Sequence, residues 1–153
     1  MTDEILRVAA KAVITDKNGK VLILREANTY EEGTNAGCYE IPGGRLNPGE
    51  SFNDGLKREA KEETGLAVEP LYPLFVGEWK PVIKGKPHHI FAIFTVCEAE
   101  TFFIKLSDEH DEYKWIDEHE ISSLDIAPPD DKVLRRYFQW QKTGLPNRPA
   151  LEN

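Results

Sequence analysis

Residues 43–66 read GGRLNPGESFNDGLKREAKEETGL, a glycine-bearing loop that runs straight into a segment crowded with Glu59, Glu62 and Glu63. Ser51 followed by Asp54 resembles a capping box with aspartate in the glutamate place, so a helix is predicted to begin near residue 52. Gly65 is placed to end it. At about 100° per residue the three glutamates share one face, where like charges repel by a few tenths of a kcal/mol per pair even when solvated. Glu63 falls near Leu56 in azimuth, with Ala60 further round on the same side, so the carboxylates border the apolar stripe. Burying ionised carboxylates is costly unless they are paired or bound to metal. Arg58 reaches Glu62 at i+4, but one guanidinium cannot neutralise three acids. A divalent cation can, and an oxygen-only ligand set suits Mg²⁺ or Mn²⁺. Gly43 and Gly44 let main chain approach an anion. Loop and helix together describe a metal-and-phosphate site; the alternative is an acid-rich solvated surface helix.

The rest of the chain frames that segment. "RVAAKAVITDKNGKVLILRE" reads as two extended segments around Asn18-Gly19, a hairpin signal. A polar loop follows at about residues 30–37, and the short strand "CYEIP" delivers the chain to Gly43-Gly44. "AVEPLYPLFVGEWKPVI" is predicted to be extended, though interrupted by Pro70 and Pro73. "KGKP" is a turn, "HHIFAIFTVCEAE" is the strongest strand pattern, and "EYKWID" is another short strand. "PPDDKVLRRYFQWQKTG" is an amphipathic helix with Val133, Leu134, Tyr137 and Phe138 on its apolar side. With no repeat or linker, the expectation is a single α/β domain over 1–145 with a mixed sheet and a tail at 146–153. Acidic side chains outnumber basic ones, 27 to 19, which argues against a binder of polymeric nucleic acid. Cys38 and Cys97 match no metal spacing and fit free thiols in a reducing compartment. With no apolar run long enough to span a bilayer and no basic leader, no membrane partner is expected and a cytoplasmic location is the default.

The spacing of the glutamate segment is specific. Gly44, five residues, Glu50, seven residues, then Arg58-Glu59-Ala60-Lys61-Glu62-Glu63-Thr64-Gly65-Leu66 resembles the Nudix box, Gly-x5-Glu-x7-Arg-Glu-U-x-Glu-Glu-x-Gly-U with U a bulky aliphatic residue. The one departure is Ala60 at the first U. The resemblance implies an α/β/α sandwich around a mixed sheet, and an enzyme that hydrolyses a nucleoside diphosphate linked to another group with a divalent metal. It implies Glu59, Glu62 and Glu63 as metal ligands joined by the Gly43 carbonyl, Arg58 orienting them, and Glu50 supporting the loop or an outer metal shell. The general base of such enzymes is sometimes a glutamate on a later loop. "LSDEHDEYKW" offers Glu109 and Glu112, with Glu109 preferred as both ligand and base, and a box glutamate remaining an alternative.

Several residues carry weaker expectations. His110 is read as a loop residue or one supporting a ligand, and His88-His89 as a sheet residue and a surface residue. Trp79, Trp115 and Trp140 are read as core or edge aromatics. Arg25, Tyr39, Gly43 and Gly44 are candidates for lining the substrate cleft. Asp130, in "PPDD", is either a helix N-cap or a base-reading residue similar to that of an oxidised-purine triphosphatase. Pro81, fifteen residues past Leu66, resembles a feature of ADP-ribose-cleaving members, whereas "IPGGRLNPGES" is closer to the triphosphate cleavers. The leading expectation is a Mg²⁺-dependent pyrophosphohydrolase of (deoxy)nucleoside triphosphates, oxidised ones included, acting as a monomer or homodimer on a small nucleotide. ADP-ribose or a nucleotide sugar is the alternative substrate, and a catalytically idle nucleotide-binding module the alternative class.

Overall fold

Strand β1 (Ile5–Thr15) is the element around which the sheet is organised. The structure is a computed structural model and describes residues 3–144; the tail expected at 146–153 lies outside the described residues. β1 leads into β2 (Val21–Glu26) through a turn in which the Asp16 carboxylate accepts hydrogen bonds from the Asn18 and Lys20 amides, both at 2.9 Å. Asn18-Gly19 therefore does mark a turn, but β1 and β2 stay in register only at Thr15 and Val21 and then part. The gap is where the site forms. One edge of β1 there is taken by β4 (Gly43–Arg45), antiparallel, with Lys11 opposite Gly43 and Ala10 opposite Gly44. The two glycines expected in a loop are thus strand residues.

The other edge of β1 runs parallel to β7 (Lys86–Ala99) over its whole length, from Ile5 beside His88 to Thr15 beside Glu98. β7 pairs antiparallel with β5 (Val68–Trp79) and, across the turn at Lys84-Gly85, with β6 (Val82–Ile83). β2 pairs with β3 (Tyr39–Glu40) and β8 (His110–Ile116). Pro70 and Pro73 do not break β5; each coincides with a register shift. β5 lies at an edge of the sheet, where a missing N–H is tolerated.

Helices α1 (Phe52–Thr64) and α2 (Asp130–Thr143) cover opposite faces. Side chains alternate across a strand, so Ala10, Ala12, Ile14, Leu22 and Leu24 meet Leu56 and Ala60 of α1, while Ala9, Val13, Val21 and Ile23 meet Val133, Leu134, Tyr137 and Phe138 of α2. Each fully buried aliphatic or aromatic side chain contributes about 1.5–3 kcal/mol, and burial on both faces explains why β1 and β2 read as near-continuous apolar runs. The expected α/β/α sandwich is observed. α1 starts where Ser51 Oγ accepts from the Asp54 amide at 3.2 Å and ends at Gly65 with φ 78°; the cap works in one direction, without the reciprocal half of a capping box. No described helix is long and apolar enough to cross a membrane.

Candidate active site

The glutamates of α1 divide into two environments. Arg58 gathers the outer group: Nε and Nη2 donate to the two Glu50 oxygens at 2.7 and 2.9 Å, and Nη1 donates to Glu59 at 3.0 Å and Glu62 at 3.2 Å. Nη2 also donates to the Arg45 carbonyl at 3.2 Å, so one planar guanidinium ties helix to β4. The Arg58 hydrogen bonds and the Asn47 amide hold the Glu50 carboxyl down at about 2. The Glu62 side chain is 58% exposed and stays on the Arg58 side. Glu63 goes inward. It is 4% exposed, its Oε2 accepts from the Gly43 amide at 2.8 Å, and burial pushes its carboxyl well above the ordinary range. Burial also raises Glu59, against the pull of Arg58.

The glycines serve this packing. A Cβ on Gly43 (φ 143°) would lie 2.2 Å from the Ala10 carbonyl oxygen, and one on Gly44 would lie 2.7 Å from the Glu59 carboxylate. Any side chain there would separate β4 from β1 or displace Glu59.

The facing wall comes from the start of β8 and from β1. The Glu109 carbonyl accepts from the Ala27 amide at 2.8 Å, and His110, 5% exposed, sets Nε2 2.8 Å from Glu40 Oε1. Glu63, Glu109 and His110 each bring a potential ligand atom within 4.8 Å of the others. His110 Nδ1 is buried with no hydrogen-bond partner among the described residues. Expected as a loop or supporting residue, His110 belongs to the cluster itself. Glu112 does not: it accepts from Tyr39 Oη at 2.8 Å and from Arg25 Nη1 at 2.8 Å, while Arg25 Nε donates to Asp111 at 2.7 Å. Arg25 and Tyr39, expected to line the cleft, are instead bound to these acids and lie outside its lining. Tyr39 is a core residue under α2.

Asp130, expected as a helix N-cap or a base-reading residue, is not the cap of α2. The residue that precedes α2 is Pro129, without a side-chain capping bond. Asp130 is 4% exposed and accepts from the Ile41 amide at 2.7 Å, which pins the chain just ahead of Gly43. Burial raises its carboxyl to about 6. Lys11 was not anticipated. It is 7% exposed and lies in the field of Glu40, Asp130, Glu63 and Glu59. Burial works against its charge, and those four carboxylates outweigh it, so its pKa lies above the ordinary value. The signal was a lone lysine inside the apolar run VAAKAVI.

These groups surround a cleft of about 720 Å³ lined by Lys11, Glu40, Gly43, Gly44, Glu59, Glu63 and Glu109, with Trp79, Pro81, Ile83 and Ile90 on its apolar side. That volume is within the range of small-molecule sites, ~300–1,000 Å³. An adjoining cavity of about 260 Å³ shares Lys11, Glu40, Trp79 and Pro81 and ends at Asp130. Trp79, expected as a core or edge aromatic, packs on the core and also lines both spaces. Glu63, Glu109 and His110 within reach of one another, with Glu59 on the same cleft, present mostly carboxylate oxygens, and a buried carboxylate that needs positive charge to ionise fits a hard divalent cation.

A sandwich with this box at the mouth of its sheet defines a hydrolase of the Nudix class, which cleaves phosphoric anhydride bonds. A NUDIX-domain family model matches residues 5–137, and the chain belongs to that family. It is 27% identical over 134 residues to an ADP-ribose pyrophosphatase of Methanocaldococcus jannaschii, covering 88% of this chain and 74% of that one. It is 25% identical over 129 residues to the nucleoside triphosphatase NudI of Escherichia coli K12, covering 80% and 90%. Among solved structures, a MutT protein from Methanosarcina mazei superposes with TM-score 0.77 at 28% identity, covering 93% of this chain and 99% of that one.

Proposed function

We propose that the protein is a Mg²⁺-dependent pyrophosphohydrolase of (deoxy)nucleoside triphosphates, oxidised ones included. The observation that carries this reading is the convergence of Glu59, Glu63 and Glu109 on one cleft beside Gly43 and Gly44, next to an adjoining cavity of about 260 Å³. Glu59, Glu63, Glu109 and the Gly43 carbonyl would hold the cation, with Glu62 on the solvent side; Mn²⁺ would serve in its place. When bound, the metal neutralises the diphosphate, polarises phosphorus and favours ionisation of water. Arg58 keeps Glu59 and Glu62 aligned through its contacts to Glu50 and β4. Glu109 is the group that takes the proton of the attacking water as the phosphoric anhydride P–O bond breaks and pyrophosphate leaves. Glu112, engaged by Tyr39 and Arg25, is not available for this. The free thiols Cys38 and Cys97 support a cytoplasmic location.

ADP-ribose is the second reading, favoured by Pro81 in the cleft wall and by the relative from M. jannaschii. A panel of nucleoside triphosphates, ADP-ribose and nucleotide sugars, assayed with Mg²⁺ and Mn²⁺ and resolved by chromatography, separates the two. Nucleoside monophosphate with pyrophosphate is the expected product pair. AMP with ribose 5-phosphate would transfer the conclusion to ADP-ribose, and no turnover of any member would leave an idle nucleotide-binding module.

A further inference from the structure

Lys11 is a buried cation of the cleft. The acids around it are engaged by other donors: Glu40 by His110, Asp130 by the Ile41 amide, Glu63 by the Gly43 amide and Glu59 by Arg58. They act on the Lys11 ammonium through space, and among the described residues none forms an ion pair or hydrogen bond with it. An ammonium carries three donors, and those of Lys11 open onto the cleft and the adjoining cavity rather than onto a protein acceptor. Lys11 is more than nine-tenths buried, yet it lines both the main cleft and the adjoining cavity. Its acceptor is therefore expected from whatever fills that junction.

The identity of the acceptor follows from its neighbours. The phosphate-handling groups, Glu59, Glu63 and Glu109, belong to the main cleft. The adjoining cavity holds none of them; Glu40 and Asp130 border it and would repel a phosphate brought to Lys11 there. Its other cation, Lys80, is a largely exposed residue paired with Glu4 at 3.8 Å. A neutral oxygen satisfies the ammonium without that repulsion. Trp79 and Pro129 supply flat apolar surface for a ring, against which stacking is favourable. An exocyclic amino group at the same point would set donor against donor.

We propose that Lys11 is a specificity-determining residue whose ammonium donates to the exocyclic carbonyl of a nucleobase in the adjoining cavity, so that bases with oxygen at purine C6 or pyrimidine C4 are taken over those with an amino group. This deepens the nucleotide reading of the cleft and rests on it. It also disfavours adenine compounds, ADP-ribose among them.

The test is calorimetric binding of nucleoside monophosphates to the full chain without metal, which stays informative whether or not any triphosphate is hydrolysed. Inosine and adenosine monophosphates differ at C6 and in the adjoining N1 proton, and uridine and cytidine monophosphates form the corresponding C4 pair. The wild-type protein is expected to favour the carbonyl member of each pair by about tenfold or more, the size of one charge-assisted hydrogen bond. Lys11→Met is expected to bring both ratios close to one while leaving the weak binding of ribose 5-phosphate unchanged. Equal binding of both members by the wild type would overturn the assignment. So would a uniform loss in Lys11→Met that includes ribose 5-phosphate, since that marks a phosphate-binding or purely structural lysine. Should Lys11→Met fail to fold, Lys11→Arg keeps the charge and displaces the donors; its ratios are expected to shift severalfold, and unaltered ratios would equally overturn the proposal.

Discussion

The outer and inner halves of the acid cluster are built on opposite principles. In the outer half Arg58 touches Glu50, Glu59 and Glu62 at hydrogen-bonding distance. In the inner half the buried Glu63 and Asp130 and the partly buried Glu40 surround a lysine that touches none of them. Contact-paired charges fix geometry; charges held near one another without contact leave valences for something that arrives. In the proposed reading the outer half aligns Glu59 toward the cation, and the inner half supplies the buried Glu63 carboxylate and the place for substrate.

The largest expected effect comes from the inner half. Glu109→Gln is expected to lower kcat by about 10²–10⁴-fold, the usual range for a positioned acid–base group, and Glu63→Gln to lower activity by at least about tenfold through loss of a ligand, while Glu112→Gln stays within severalfold. Steady-state kinetics on the best substrate of the panel checks this, and equal losses at Glu109 and Glu112 would erase the distinction drawn between them. Arg58→Ala attacks the outer half. Loss of its hydrogen bonds to charged groups is expected to cost about 1–3 kcal/mol in denaturant unfolding and to lower activity by about 10–100-fold, as for residues that support ligands.

Asp130 gives a smaller effect with a definite sign. Its carboxyl titrates at 3.8 ordinarily and at about 6 in the folded chain. Between those values the folded protein keeps a proton that the unfolded chain releases, so stability from this group falls as pH rises through that window. Asp130→Asn keeps an acceptor for the Ile41 amide and is expected to flatten the slope in melts between pH 4 and 6. Asp130→Ala leaves that amide unpaired and is expected to lose about 1–3 kcal/mol. Ser51→Ala, which removes only the α1 cap, is expected to cost about 1 kcal/mol and to leave the ratio of Glu63 and Glu112 effects unchanged.

How much of this was legible in the sequence follows the same division. Glu59, Glu62, Glu63 and Arg58 are set by local helical spacing within α1, so their closeness and the reach of Arg58 to Glu62 were readable in advance, although the division of Glu63 inward from Glu62 outward was not. The boundaries of α1 and α2 and the apolar side of α2 were readable for the same reason. Lys11, Glu40, His110 and Asp130 are brought together by strands β1, β3 and β8 and by the start of α2, residues far apart in sequence whose meeting depends on sheet register. Asp130 in particular sits where a cap belongs, and only the Ile41 amide opposite reveals its different use. Arg25 and Tyr39 were misplaced because chemistry alone, without the pairing of β2 with β8, does not tell which side a polar side chain will face.

Titration of Mn²⁺ into the wild-type protein and into Glu63→Gln, followed by calorimetry, tests most directly whether the inner acids exist to receive a cation. The wild type is expected to bind with release of protons, because Glu63 must ionise to ligate, and Glu63→Gln to lose at least about tenfold in affinity together with that proton release. Equal affinity and equal proton release in the two proteins would contradict the account.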